Sequence, residues 1–288
     1  MKLSLKSLII GGVFGLTLFF AYLWFLPDQK LHVVFCDVGQ GDAAYIRGPN
    51  NMDMLIDGGP NDKVLNCLGR HMPFYDRTID VVMLSHAQKD HLQGLLSVLE
   101  RYEVKYVITT LVGNDTEGYK KFIRQLADKN IPVKNLYQGD EFLLGNVKFK
   151  ILWPEKKWVS GKAVLGLQSD IDLNSFSYFV HLNYGTFDAL FTGDGDRKIQ
   201  PEIIETINLP DVEVLKFPHH GSKTGILPAF LDRIKPEFAI ISVGKNSYGH
   251  PTKEALDVLK SRAIEIKRTD LEGDVEVVSN GSSWNGKN

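Results

Sequence analysis

Cysteine is nearly absent from this chain of 288 residues, which carries only Cys36 and Cys67. Two cysteines cannot make a disulfide scaffold, and their spacing is not that of a zinc ribbon. Cys36 lies inside the apolar run LHVVFCDV, which favours a buried free thiol over a bridge to Cys67. Excess positive charge is also missing. The formal net charge is −2, and it is about −4 once the first thirty residues, with Lys2, Lys6, Lys30 and Asp28, are set aside. That balance argues against a protein that holds polyanions by bulk charge, and no stretch interleaves basic and aromatic residues as single-strand binders do. Basic clusters at Lys120, Lys121 and Arg124 and at Lys156 and Lys157 read as solvated faces. The length allows one large core or two small ones, and no shift in composition divides the soluble part.

What is present begins with a charge-free apolar run from Leu8 to Leu26, about the length a helix needs to cross a ~30 Å hydrocarbon layer. It is apolar on every face and carries Gly11, Gly12 and Gly15, which a soluble helix would avoid. Lys2 and Lys6 precede it and Asp28 follows it, so the expected topology is a single-pass anchor in the cell membrane with the rest of the chain extracytoplasmic. The exit FAYLWFLP has no small-x-small cleavage signal, which favours an anchor over a removed signal peptide. The expected organisation is an anchor over 1–30, one folded domain over 31–280 and a disordered tail over 281–288.

After the anchor, short β-rich runs (LHVVFCDV, AAYIR, MDMLID) are separated by turn chemistry at GQGD, GPNN and GGPN. Helical and extended patterns then alternate: a helix over 62–71, a strand at IDVVMLS, a helix over LQGLLSVLERY, a strand at VKYVITT, a helix over GYKKFIRQLADK and a strand at IPVKNLY. A second β-rich stretch and a second alternating stretch follow, so the chain presents two similar α+β halves. The polar stretch between Trp153 and Leu173 reads as a surface loop.

Four strand ends carry candidate chemistry: Asp57 in LIDGG; His86, Asp90 and His91 in VVMLSHAQKDH; Asp194 in DALFTGDGD; and His219 with His220 in VEVLKFPHHGS. A single histidine at a strand end is usually structural, but imidazoles and carboxylates gathered at four ends suit zinc, manganese or iron.

In this order, FCDVGQGDAAYI, MLIDGG, VVMLSHAQKDHLQGL, LNSFSYF, ALFTGDGD, VLKFPHHGS, SVGKNSYGHP and KRTDLEGDVEV resemble the metallo-β-lactamase fold hydrolases, and within them the hydrolase domain of the ComEC competence proteins. The resemblance covers Leu31 to about Val278. It implies a four-layered αββα sandwich, preceded here by one transmembrane helix in place of that family's multi-span channel. His86 matches the first histidine of the superfamily's HxHxDH motif, Gln88 replaces the second, and Asp90 and His91 match the closing pair. Asn174 and Ser175 stand nearest the place of a further metal histidine, Asp194 matches the carboxylate between two metals, and His219 or His220 matches the last ligand. The implied cofactor is therefore a divalent metal: one strong site from Asp90, His91, Asp194 and one of the two histidines, and a weak second site from His86, Gln88 and Asn174 beside the shared Asp194. Neutral amide oxygens on that second side suit Mn²⁺ or Mg²⁺ better than tightly held Zn²⁺.

By the same resemblance Asp90 orients a water, Asp57 supports the ligands by hydrogen bonds, and Lys216, Ser222, Tyr248 and His250 line a cleft for phosphate. Asp37 and Asp42, in DVGQGD, match a signature but also suit a turn. The implied activity is a phosphodiesterase or nuclease acting on DNA, single- or double-stranded, with the membrane and a DNA-uptake machinery as partners. The rival readings are a non-catalytic binding module of the same fold and a small-ester or lactam hydrolase.

Overall fold

The computed structural model of the chain describes residues 5–24, 26, 28–110, 112–162 and 172–287. Apolar runs too short for helices form strands, covered on both faces as at Asp53–Ile56 but exposed at the edge in Val133–Lys134. They are β1 (Leu31–Phe35), β2 (Ala44–Arg47), β3 (Asp53–Ile56), β4 (Thr78–Leu84), β5 (Glu103–Thr109) and β6 (Val133–Lys134). With β14 (Val275–Ser279) and β15 (Trp284–Lys287) they make an eight-stranded sheet in the order β15-β14-β1-β2-β3-β4-β5-β6. The second sheet has seven strands, β7 (Glu141–Leu144), β8 (Val147–Trp153), β9 (Phe179–Tyr184), β10 (Phe187–Phe191), β11 (Val214–Lys216), β12 (Phe238–Ile241) and β13 (Glu265–Arg268), in reverse chain order. Each sheet opens with antiparallel pairs and continues in parallel: β1 to β3 and then β3 to β6, β7 to β10 and then β10 to β13. The two similar halves expected from the sequence are these two sheets.

Phe35, Met54 and Met83 of one sheet meet Phe149, Phe187 and Phe191 of the other, and the rings of Phe35 and Phe191 stack with centroids 5.8 Å apart. Outside the first sheet, α2 (Lys63–His71), α3 (Lys89–Arg101) and α4 (Glu117–Asp128) bury Val64, Leu68, Leu95, Leu99 and Phe122. Outside the second, α6 (Gln200–Thr206), α7 (Pro228–Ile234) and α8 (Lys253–Lys260) bury Ile203, Phe230, Ile234 and Leu259. The layering is αββα, as expected, and a buried phenyl such as Phe230 contributes about 3–5 kcal/mol against truncation to alanine.

Four expectations change. Cys36, just past β1, and Cys67, on the buried face of α2, have Cα atoms 5.7 Å apart and form a disulfide, because packing that helix on the sheet brings them together within bonding range. The tail is not disordered: β15 pairs with β14, and Trp284 rests against Phe187 and Phe238. Part of the expected surface loop is helical, as α5 (Lys156–Lys162), where Val159 is buried beside Leu173 and Phe176; residues 163–171 lie outside the described residues. Finally, among the described residues no helix is long and apolar enough to cross a membrane. The N-terminal run is a helix, α1 (Leu5–Trp24), whose Ile10, Val13, Phe14, Leu16, Leu18, Phe19 and Phe20 are exposed.

Candidate metal centre

The site forms where strand ends from both sheets meet. Asp42 lies in the turn after β1, Asp57 follows β3, Ser85 and His86 follow β4, and Asp90 and His91 begin α3; Asp194 follows β10 and His219 and His220 follow β11. Two glycines let the backbones close up. A Cβ at Gly94 would lie 1.9 Å from Gly58 O, and one at Gly41 would lie 2.3 Å from Asp90 O, so α3 presses directly on the turns that carry Asp57 and Asp42. Asp57, His219 and His220 all take left-handed backbone conformations, with φ of 61°, 52° and 52°. Such strain costs about 1–3 kcal/mol per residue and gathers at functional sites.

Hydrogen bonds fix the state of three imidazoles. The Asp57 carboxylate accepts from Ser85 N (2.7 Å), from Ser85 Oγ (2.7 Å) and from His91 Nδ1 (2.8 Å). Ser85 Oγ, having given its proton to Asp57, accepts from His86 Nδ1 at 3.1 Å. His220 Nδ1 lies 3.0 Å from the carbonyl of Ser242, which can only accept. All three Nδ1 atoms are therefore protonated, which leaves Nε2 as the atom of each ring that can bind an ion.

Those Nε2 atoms converge on carboxylates. His91 Nε2 is 3.2 Å from Asp194 Oδ1, and His220 Nε2 is 3.4 Å from both Asp194 Oδ2 and Asp90 Oδ2. Two donors on one tetrahedral ion, each about 2.1 Å from it, sit about 3.4 Å apart. Buried Nε2 of His86, His91 and His220, Oδ1 of Asp194 and Oδ1 of Asn174 have no hydrogen-bond partner, which buried polar atoms rarely tolerate. The donor set thus fits a divalent ion held by Asp90, His91, Asp194 and His220, with the ring of His86 4.2 Å from that of His91.

The electrostatics agree. Burial alone would lower the pKa of His91, but Asp194 and Asp57 outweigh it and raise it well above the usual value; for His220 burial is outweighed by Asp194 and Asp42 in the same way. Asp194 is held well below the carboxylate range by His220 and His91 in spite of its burial. The pocket favours positive charge at this point. His86 differs: burial, then the neighbouring His91, push it down to about 4, which keeps it neutral.

Of the residues expected from the sequence, the structure brings together Asp57, His86, Asp90, His91, Asp194 and His220. It separates the two adjacent histidines. His220 is buried with its ring in the cluster, while the ring of His219 lies 5.8 Å from that of His250, which lies 5.7 Å from Tyr248. Gln88 is half-buried at the N-cap of α3, and its side chain caps no backbone N–H there. His250 does not cap α8; Thr252 does, accepting from Ala255 N. Lys216 does not line the cleft as a free cation. It is 4% exposed, and its Nζ donates to Asp42 Oδ2 and to Gly193 O (3.2 Å). Asp42, which the sequence offered both as part of the DVGQGD signature and as a turn former, is 4% exposed and is grouped with His91, Asp194 and His220 as a potential cation-holding cluster. The signature was its signal in the sequence, beside Gly41, where close packing requires glycine.

The fold is that of a metallo-β-lactamase fold protein, and the cluster of buried donors is one that could hold a divalent ion. Among solved structures the chain is similar to the metallo-β-lactamase fold protein YhfI of Bacillus subtilis, with 14% identity, coverage of 87% of this chain and 100% of that one, and a TM-score of 0.52. It is also similar to CmlA, a diiron β-hydroxylase of Streptomyces venezuelae, with 14% identity, 86% and 54% coverage and a TM-score of 0.51. At that identity both show the fold alone. No family model matches the chain. Its homologues by sequence are proteins of the ComEC family. It is 25% identical to ComE operon protein 3 of Bacillus subtilis over 96% of its length, 28% identical to competence protein ComA of Neisseria gonorrhoeae over 86%, and 28% identical to Recombination protein 2 of Haemophilus influenzae over 92%. It covers 36%, 32% and 31% of those relatives, about a third of each.

Proposed function

We propose that this chain is a metal-dependent phosphodiesterase that cleaves DNA outside the cytoplasm, in a process related to DNA uptake. The observation that carries the reading is the set of unpartnered donors, Nε2 of His91 and His220 and Oδ1 of Asp194, with Asp90 Oδ2 beside them. A divalent ion bound there would act as a Lewis acid and lower the pKa of a coordinated water to near neutrality. Asp57 and Ser242 O hold His91 and His220 in the productive tautomer. Asp90, whose side chain is 32% exposed where Asp194 is 2%, is the ligand carboxylate that reaches solvent, so it orients the attacking water and accepts its proton. His219, His250 and Tyr248 form a row of rings beginning 6.3 Å from that of His220, and their N–H and O–H groups are the proposed contacts to phosphate oxygens.

The location rests on two features. Disulfides persist in oxidising compartments, and Cys36–Cys67 is buried at 0% exposure for both residues. The exposed apolar side chains of α1 need a covering, for which a membrane attachment through residues 1–30 is proposed.

The test is cleavage of labelled single- and double-stranded DNA by residues 31–288 after chelation and repletion with Mn²⁺, Mg²⁺ or Zn²⁺, with Asp194→Ala alongside. Metal-dependent cleavage lost in the variant is expected. No cleavage with any ion, and no bound metal by elemental analysis, would sink the enzyme reading in favour of a binding module.

A further inference from the structure

Lys216 and Asp42 are a buried ion pair that no step above uses. Their burial excludes contact with a substrate. A buried pair is weak evidence for stability, since apolar residues of the same volume would usually do as well, so this one needs another account.

Asp42 lies on the Nδ1 side of the histidines, with Oδ1 3.4 Å from His220 Nδ1 and Oδ2 3.8 Å from His91 Nδ1. The Nε2 atoms point the other way, toward Asp194 and Asp90. An ion on the Nε2 side is thus separated from Asp42 by the imidazole rings, and Oδ2 of Asp42 is already taken by the ammonium of Lys216. That ammonium ties three segments of the site together. It extends from β11, which leads to His220; it holds Asp42 in the turn after β1; and it donates to Gly193 O, next to Asp194. The Asp42 turn is in turn fastened to the start of α3, because Asp42 N donates to Asp90 O at 3.1 Å, and its other end is pinned by the disulfide at Cys36.

We infer that Asp42 and Lys216 are positioning residues of the metal centre. Lys216 locks Asp42 beneath His220 and His91, so that their Nε2 atoms, and Asp90 with them, keep the geometry an ion requires. Removing a carboxylate that supports a ligating histidine lowers metal affinity about 10–100-fold. This inference rests on the metal-enzyme reading above.

The experiment measures Co²⁺ and Mn²⁺ affinity, the visible Co²⁺ spectrum and thermal unfolding for the wild type, Asp42→Asn, Lys216→Met and the double variant. The double variant removes both charges together, so no lone buried charge remains to unfold it. The expected result is a folded double variant with metal affinity reduced about 10–100-fold and a changed Co²⁺ spectrum, and Lys216→Met also weakened. A folded double variant with wild-type affinity and spectrum would overturn the inference and leave the pair a structural one. So would abolished binding in Asp42→Asn together with tightened binding in Lys216→Met, the pattern of a direct ligand freed from its counter-ion. A wild type that binds neither ion would sink the metal-enzyme reading itself.

Discussion

The two sides of the cleft share Asp194 and differ in almost everything else. On one side Asp90, His91 and His220 surround it, three strong donors whose distances already match one ion. On the other, His86 Nε2 is buried without a partner, and the sequence offers only the neutral amides of Asn174 and Gln88 to join it. The strong side is also the supported one: Asp57, Ser242 O and the Asp42–Lys216 pair all back His91 and His220, whereas His86 has a single hydroxyl behind it. Donor type and donor support vary together here. Binding strength at each side should therefore follow what stands behind the imidazoles as well as their number.

The largest test of this asymmetry removes what the sides share. Asp194→Ala should strip the metal, seen as loss of bound ion by elemental analysis, and reduce any hydrolysis by on the order of 10³-fold, the several kcal/mol a catalytic ion supplies. Cys36→Ser with Cys67→Ser comes next. The bond spans a sequence separation of 31 that includes both Asp42 and Asp57, so its loss should lower unfolding free energy by about 3–4 kcal/mol in urea titrations and loosen only the supported side. Gln88→His should narrow the difference between the sides. A second imidazole beside His86 is expected to tighten a second ion by about tenfold, or 1.4 kcal/mol, read from stoichiometry in equilibrium dialysis; an unchanged stoichiometry would mean that Gln88 does not reach the cleft.

The smallest effect belongs to a control far from both sides. His32 bridges Glu276 (2.7 Å) and Asp28 (2.9 Å), and the bond to Glu276 leads in raising its pKa above 6.5 against the opposing effect of burial. A raised folded pKa means that the contribution is complete below the unfolded value and fades as pH rises through the folded one. His32→Gln should therefore cost about 0.5–1 kcal/mol at pH 5.5 and less at pH 9 in urea midpoints, with metal affinity unchanged at both.

Much of this was legible in the chain. Apolar-rich runs of three to seven residues followed by Asp or His marked β3, β4, β10 and β11 together with their functional ends, because a strand buried on both faces leaves chemistry only to its terminus. What stayed hidden depended on pairing across distance. Cys36 and Cys67 meet only once α2 packs on the sheet, and Lys216 is a cleft cation or a buried one according to whether Asp42 lies beneath it. His219 and His220 are chemically identical neighbours, and only two successive left-handed residues decide which ring turns inward. Trp284 in the tail was a missed signal, since a large aromatic side chain seldom stays in water when a sheet edge is near.

The arrangement of β1 and β14 also has a mechanical side. They are antiparallel neighbours with Leu31 opposite Ser279 and Phe35 opposite Val275, and β15 turns back along β14 with Trp284 opposite Ser279 and Lys287 opposite Glu276, so Leu31 lies at one end of the sheet and Lys287 at the other, where the cleft is. Tension between Leu31 and Lys287 would load the rungs of β14 to β1 and to β15 in shear. Tension between Leu31 and the cleft would run along β1, loading its rungs to β2 and β14 together in the same way. In both cases many rungs share the load, so the sheet resists pulling along its strands.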